Sequence, residues 1–131
     1  MNPVGQLSLV ALDCADPLEL AEFYSALTGW EIDDDEPGWD EADDWVQLRS
    51  ASGGVGLAFQ RVADHRPPHW PGNEHPQQMH LDFDVADLDE AEVDVLAIGA
   101  RKAELQPGST FRVYLDPAGH PFCLVLGHLR L

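Results

Sequence analysis

Leu12-Asp13-Cys14-Ala15-Asp16-Pro17-Leu18-Glu19-Leu20-Ala21-Glu22, closing at Gly29, is the stretch on which the fold turns, because it returns in diluted form later in the chain. The second copy is Phe83-Asp84-Val85-Ala86-Asp87-Leu88-Asp89-Glu90-Ala91-Glu92, closing at Gly99. Asp13, Ala15 and Asp16 map onto Asp84, Ala86 and Asp87. After a one-residue gap at Pro17, Ala21, Glu22 and Gly29 map onto Ala91, Glu92 and Gly99. A self-match at about seventy residues in a chain of 131 means two copies of one supersecondary unit. Two such units bury their apolar faces by packing together, and the paired sheets are expected to enclose a ligand cleft.

Working outward from the first copy, residues 6–14 read as a buried strand. Asp16 is placed to cap a helix, with Pro17 at its first position and Glu19 at its third. Leu20, Phe23, Tyr24 and Leu27 recur at helical spacing on one face and read as core. Gly29 stops the helix, and Trp30-Glu31-Ile32 starts a strand that runs into an acidic loop, Asp33–Asp44, carrying Trp39. Residues 45–48 and 55–60 form a hairpin through Ser52-Gly53-Gly54. Four prolines in 61–77 (Pro67, Pro68, Pro71, Pro76) mark a loop. The order then repeats: strand 78–85, helix 87–99 with Leu88, Ala91, Val95 and Ile98 as its buried stripe, a strand near 100–105, and a hairpin of 112–115 and 121–126. Asp116-Pro117-Ala118-Gly119 forms the turn of that hairpin. The fold class is therefore α+β. It comprises two tandem βαβββ modules in one domain over 1–131, module one about 6–62, loop 63–77, and module two about 78–127.

Composition limits the partners. Twenty-four acidic against 7 basic residues give a net charge of −17. Such a surface repels nucleic acid and anionic lipid and attracts cations. No apolar run reaches the roughly twenty residues that cross a bilayer. The first five residues lack the basic-then-apolar pattern of a signal peptide. Two cysteines suggest no disulfide framework, so a cytoplasmic location is expected. No Gly-x-Gly-x-x-Gly, Walker, Gly-x-Ser-x-Gly or Cys-x-x-Cys pattern occurs.

Three elements form a recognisable set: Asp16…Ala21-Glu22-Phe23-Tyr24…Gly29-Trp30, His80-Leu81-Asp82-Phe83-Asp84-Val85, and Leu115-Asp116-Pro117-Ala118-Gly119-His120-Pro121-Phe122. Together they resemble the vicinal oxygen chelate superfamily, which includes glyoxalase I, extradiol dioxygenases, fosfomycin-modifying enzymes and bleomycin-resistance proteins. The match runs from about Leu7 to Leu126. The resemblance implies a partly open, curled sheet around a central cleft, and pairing as a homodimer. In metal-dependent members it implies four ligands: a His or Gln on the first strand and a carboxylate on the last strand of each module. Carried onto this chain, those positions are about Leu9 and a residue within Leu57–Phe59 in module one, with Gln60 next to them. In module two they are His80 and Cys123. The usual metal centre therefore reads as lost, and no cofactor is expected.

The favoured function is binding of a small organic molecule, cationic or aromatic, as in drug or metabolite sequestration. Trp45, Phe59, Trp70, Tyr114 and Phe122 are read as aromatic cleft contacts, with Gln60, His80 and Cys123 as polar ones. Two alternatives stand beside it. One is a glyoxalase-like lyase or isomerase in which a divalent metal is held by His80 with Gln60, Cys123 or Asp82. The other is metal-free acid–base catalysis by His80 with Asp82. His65, His69 and His75 share the proline-rich loop with Trp70, and their irregular spacing favours a linker that partly lids the cleft over a metal site. Cys14 and Cys123 read as buried, inert thiols, and His120 as solvent-exposed.

Overall fold

The structure is a computed structural model and describes residues 3–33 and 44–126. Trp39 and most of the acidic loop lie outside the described residues. The chain divides into two compact units, Met1–His65 and Arg66–Leu131. Each is a βαβββ module with a four-stranded mixed sheet.

The first unit holds β1 (Leu9–Cys14), α1 (Pro17–Thr28), β2 (Glu31–Ile32), β3 (Trp45–Arg49) and β4 (Gly56–Arg61) in sheet order β1-β4-β3-β2. β1 runs parallel to β4, and the other pairs are antiparallel. Asp16 caps α1 by accepting from the Glu19 amide at 3.2 Å, Pro17 follows, and Gly29 ends the helix at φ 77°. Leu20, Phe23 and Tyr24 bury their side chains against the sheet, where Tyr24 stacks on Phe59 with centroids 5.6 Å apart. β1 starts at Leu9 and not at residue 6, because its partner β4 begins only at Gly56.

The second unit repeats the plan with β5 (Leu81–Val85), α2 (Leu88–Ala97), β6 (Arg101–Lys102), β7 (Phe111–Leu115) and β8 (Pro121–Leu126), in sheet order β5-β8-β7-β6. Asp87 caps α2, accepting from the Glu90 amide at 3.0 Å. The helix is shorter than the 87–99 expected and buries only Leu88 and Val95 fully. Polar ties make up the difference: Tyr114 donates to Glu92 at 2.9 Å, Lys102 pairs with Glu92 at 2.9 Å, and Arg112 pairs with Asp89 at 2.8 Å. Burial, followed by the Glu92 carboxylate, holds the Tyr114 hydroxyl above its ordinary range.

β5 begins at Leu81, opposite Phe122, and not at residue 78: the residue that would face His80 is Pro121, which has no amide to donate, and β8 extends no further back. β6 is two residues long where 100–105 was expected, and Gln106 supplies the reason. Its side-chain amide accepts from the Val113 amide at 2.9 Å and donates to the Val113 carbonyl at 2.8 Å. A side chain thus takes the place that further strand backbone would have filled. No described helix is long and apolar enough to cross a membrane.

Candidate functional site

Strand alternation sorts the side chains of the second module. Tyr114, Phe122 and Leu124 turn one way and form the core, with half-buried Phe83 on the same face; Tyr114 stacks on Phe122 with centroids 5.6 Å apart and Phe83 meets Phe122 edge-on at 6.0 Å. The intervening residues turn the other way and line a pocket of about 380 Å³, a size that suits a small ligand. Its apolar wall comprises Phe111 and Val113 from β7, Pro121 and Val125 from β8, Pro107 and Trp70. Its polar groups are Gln77, His80, Asp82 and Cys123. All of these residues belong to the second unit.

The structure places several of the expected contacts outside this pocket. Tyr114 and Phe122 are fully buried in the core and do not line the pocket, and Phe59 is likewise buried against Tyr24 of α1. Trp45 and Gln60 are paired residues on neighbouring strands of the first module, and the Trp45 indole donates to Gln47 at 3.3 Å. His120 is half-buried and not exposed, its backbone amide donating a hydrogen bond to the Asp116 carboxylate. Sequence reasoning missed Gln77, Pro107, Phe111, Val113, Pro121 and Val125. The Phe111/Val125 and Val113/Cys123 pairings follow once the hairpin register is known. Nothing in the local sequence marks Gln77.

The polar groups converge. Asp82 is the register partner of Cys123 across the parallel β5–β8 pair, so both side chains emerge side by side. His80 is two residues before Asp82, on the same face, and its Nε2 lies 3.2 Å from the Asp82 carboxylate. Donor atoms of His80, Asp82 and Cys123 all lie within 4.8 Å of one another. The side-chain oxygen of Gln77 is buried without a hydrogen-bond partner among the described residues. Such an acceptor costs free energy until a donor reaches it.

Burial first, and then the neighbouring Asp82 carboxylate, pushes the Cys123 thiol up to about 11. At pH 7.5 its thiolate fraction is then about 300-fold below that of a free cysteine. We expect iodoacetamide to alkylate Cys123 at least about 100-fold more slowly than free cysteine at that pH. The rate should keep climbing toward pH 11 and not level off near 8.5, as followed by mass spectrometry of metal-free protein.

The four-ligand centre implied by the family resemblance does not fit these residues. Register equates Leu57 with Phe122, so module one offers Leu9 and Ala58 where module two has His80 and Cys123. Two of four positions carry no donor atom and a third carries a thiol where a carboxylate is required.

A family model for the Glyoxalase-like domain matches residues 9–125. Among solved structures, a glyoxalase/bleomycin resistance protein/dioxygenase family enzyme from Burkholderia phytofirmans PsJN is similar with a TM-score of 0.67 and 18% identity, over 92% of this chain and 97% of that one. The fosfomycin resistance protein FosX of Listeria monocytogenes is similar with a TM-score of 0.68 and 16% identity, over 97% and 94%. A glyoxalase/bleomycin resistance protein from Albidiferax ferrireducens T118 is 22% identical over 92% and 97%, with a TM-score of 0.57. At these identities the likeness is one of fold. No curated protein sequence matches the chain. The βαβββ pair and the family match agree with the resemblance carried by Asp16–Trp30, His80–Val85 and Leu115–Phe122: the chain belongs to the glyoxalase-like domain family, within the vicinal oxygen chelate superfamily.

Proposed function

We propose that this protein binds a small organic molecule with an aromatic or aliphatic body and a protonated amine in the pocket of its second module, without the family's four-ligand metal centre. The observation that carries this reading is the lining: an apolar wall of Trp70, Phe111, Val113 and Val125 with Asp82 and the unpartnered Gln77 oxygen among it. Apolar walls with a few polar groups orient a ligand by one end while its body is desolvated. The Gln77 oxygen calls for a donor, and the Asp82 carboxylate attracts a cation. The net charge of −17 raises the encounter rate of a cation with the whole surface. Trp70 offers a ring face for cation–π or stacking contact. Homodimer formation, implied by the family resemblance, belongs to the same proposal and is read by analytical ultracentrifugation.

The test uses benzylamine, phenethylamine and tryptamine against chelator-treated protein by titration calorimetry. Ligands of this size are expected to bind with a Kd of roughly 0.1–1 mM. Val125→Trp fills the cavity from its sheet side and should weaken binding at least about tenfold, with the circular dichroism spectrum unchanged. Equal binding by wild type and Val125→Trp would overturn the reading.

A second reading is favoured by one observation, the His80–Asp82 pair 3.2 Å apart at the pocket. A carboxylate that orients an imidazole is the arrangement of a general base. If the bound molecule is turned over, His80→Ala should abolish turnover while leaving amine affinity within about threefold.

A further inference from the structure

Module one and module two share a backbone plan, yet at three equivalent positions of the parallel strand pair only module two carries metal donors. There the three positions are His80, Asp82 and Cys123. By the same register, module one has Leu9, Ala11 and Ala58, which offer no donor atom. The trio therefore has no counterpart in module one. Asp82 also has no place in the ligand scheme that the resemblance implies.

We propose that His80, Asp82 and Cys123 form a metal site of their own, built by module two alone and selective for a thiophilic divalent ion such as Zn²⁺ or Co²⁺. Geometry supports it first: an imidazole nitrogen, a carboxylate oxygen and a thiol sulfur lie within 4.8 Å of one another. Asp82 and Cys123 are directly paired on adjacent parallel strands, and His80 immediately precedes β5, so two of the three donors are fixed by the sheet. Cys123 is the buried anchor, while the His80 and Asp82 side chains are 44% and 56% exposed and turn onto an ion without disturbing the core.

Donor chemistry then sets the choice of ion. Thiolate and imidazole favour zinc, cobalt and their neighbours, whereas Mg²⁺ and Mn²⁺ favour all-oxygen shells. Three protein ligands leave a fourth position facing the cavity, the pattern of an open zinc site and not of a closed structural one. This inference shares the pocket with the proposed amine site but does not rest on it, because the ion alone is its probe.

The test is titration of the reduced, chelator-treated full chain with Co²⁺, followed by absorption spectroscopy. A thiolate-to-cobalt charge-transfer band in the near ultraviolet should grow to one equivalent and vanish on adding Zn²⁺, while Mg²⁺ leaves it untouched. Cys123→Ser should abolish the band, and Asp82→Asn and His80→Gln should each weaken Co²⁺ about tenfold or more. Cys14→Ser, at the other cysteine, should change nothing. Absence of the band in folded wild type would overturn the proposal. So would cobalt binding that survives Cys123→Ser unchanged, which would place the ion elsewhere, for instance on His65, His69 and His75. Success or failure of amine binding in the metal-free protein leaves this result independent.

Discussion

Phe122→Ala should lower the unfolding free energy by about 4 kcal/mol, because deleting a fully buried ring removes its transfer free energy and leaves a cavity. Phe122 stacks on Tyr114 and meets Phe83 edge-on, so neighbours on both sides lose contact with it. Tyr114 is further tied to Glu92 of α2, which limits how far the core collapses into the gap. Phe122→Leu should cost much less, about 1 kcal/mol, since most of the volume is kept. Amine binding to folded Phe122→Leu should stay within about twofold of wild type. Urea denaturation with a common slope checks the first two values. A ring that served as a ligand wall would behave the other way, with a small stability loss and a large affinity loss.

Asp116→Ala should lower the unfolding free energy by about 3 kcal/mol, or the melting temperature by roughly 10 °C. Asp116 is fully buried in the turn between β7 and β8, where its Oδ1 accepts from the amides of Ala118 and His120, each at 2.9 Å. Alanine leaves two amide donors without that acceptor in a buried turn, and the penalty is for orphaned groups more than for lost attraction. Asp116→Asn keeps a side-chain oxygen and should cost about 1 kcal/mol. The same turn explains Gly119, which sits at φ 90° with Pro67 so close that an added Cβ would lie 2.5 Å from its Cβ. Differential scanning calorimetry of the two aspartate variants measures both shifts.

The Asp-Pro-x-Gly turn was legible in the sequence because its chemistry is local, as were the caps at Asp16 and Asp87. The repeat carried the rest of the fold: one βαβββ plan, read twice. Which way the aromatic residues face was not legible. β4 and β8 are buried on both faces over Gly56–Phe59 and Pro121–Leu124, so they read as apolar runs with no alternation to orient them. Phe59 and Phe122 were thus assigned to the ligand when they belong to the core. His80 and Cys123 stood out singly from their positions, with Asp82 beside the histidine. That the three converge depends on the parallel β5–β8 register, which joins residues about forty apart and leaves no local trace. Gln106 escaped for a related reason, since a side chain imitating strand backbone has no pattern of its own.

That a small organic cation enters the pocket of module two is tested most directly by locating it. Backbone and indole chemical shifts of isotope-labelled, chelator-treated protein are followed while tryptamine is added. Shifts confined to Trp70, Gln77, Val113, Cys123 and Val125, saturating with one Kd, are the result predicted. Saturable shifts confined to the first module, with Trp70 and the β7–β8 residues unmoved, would contradict it.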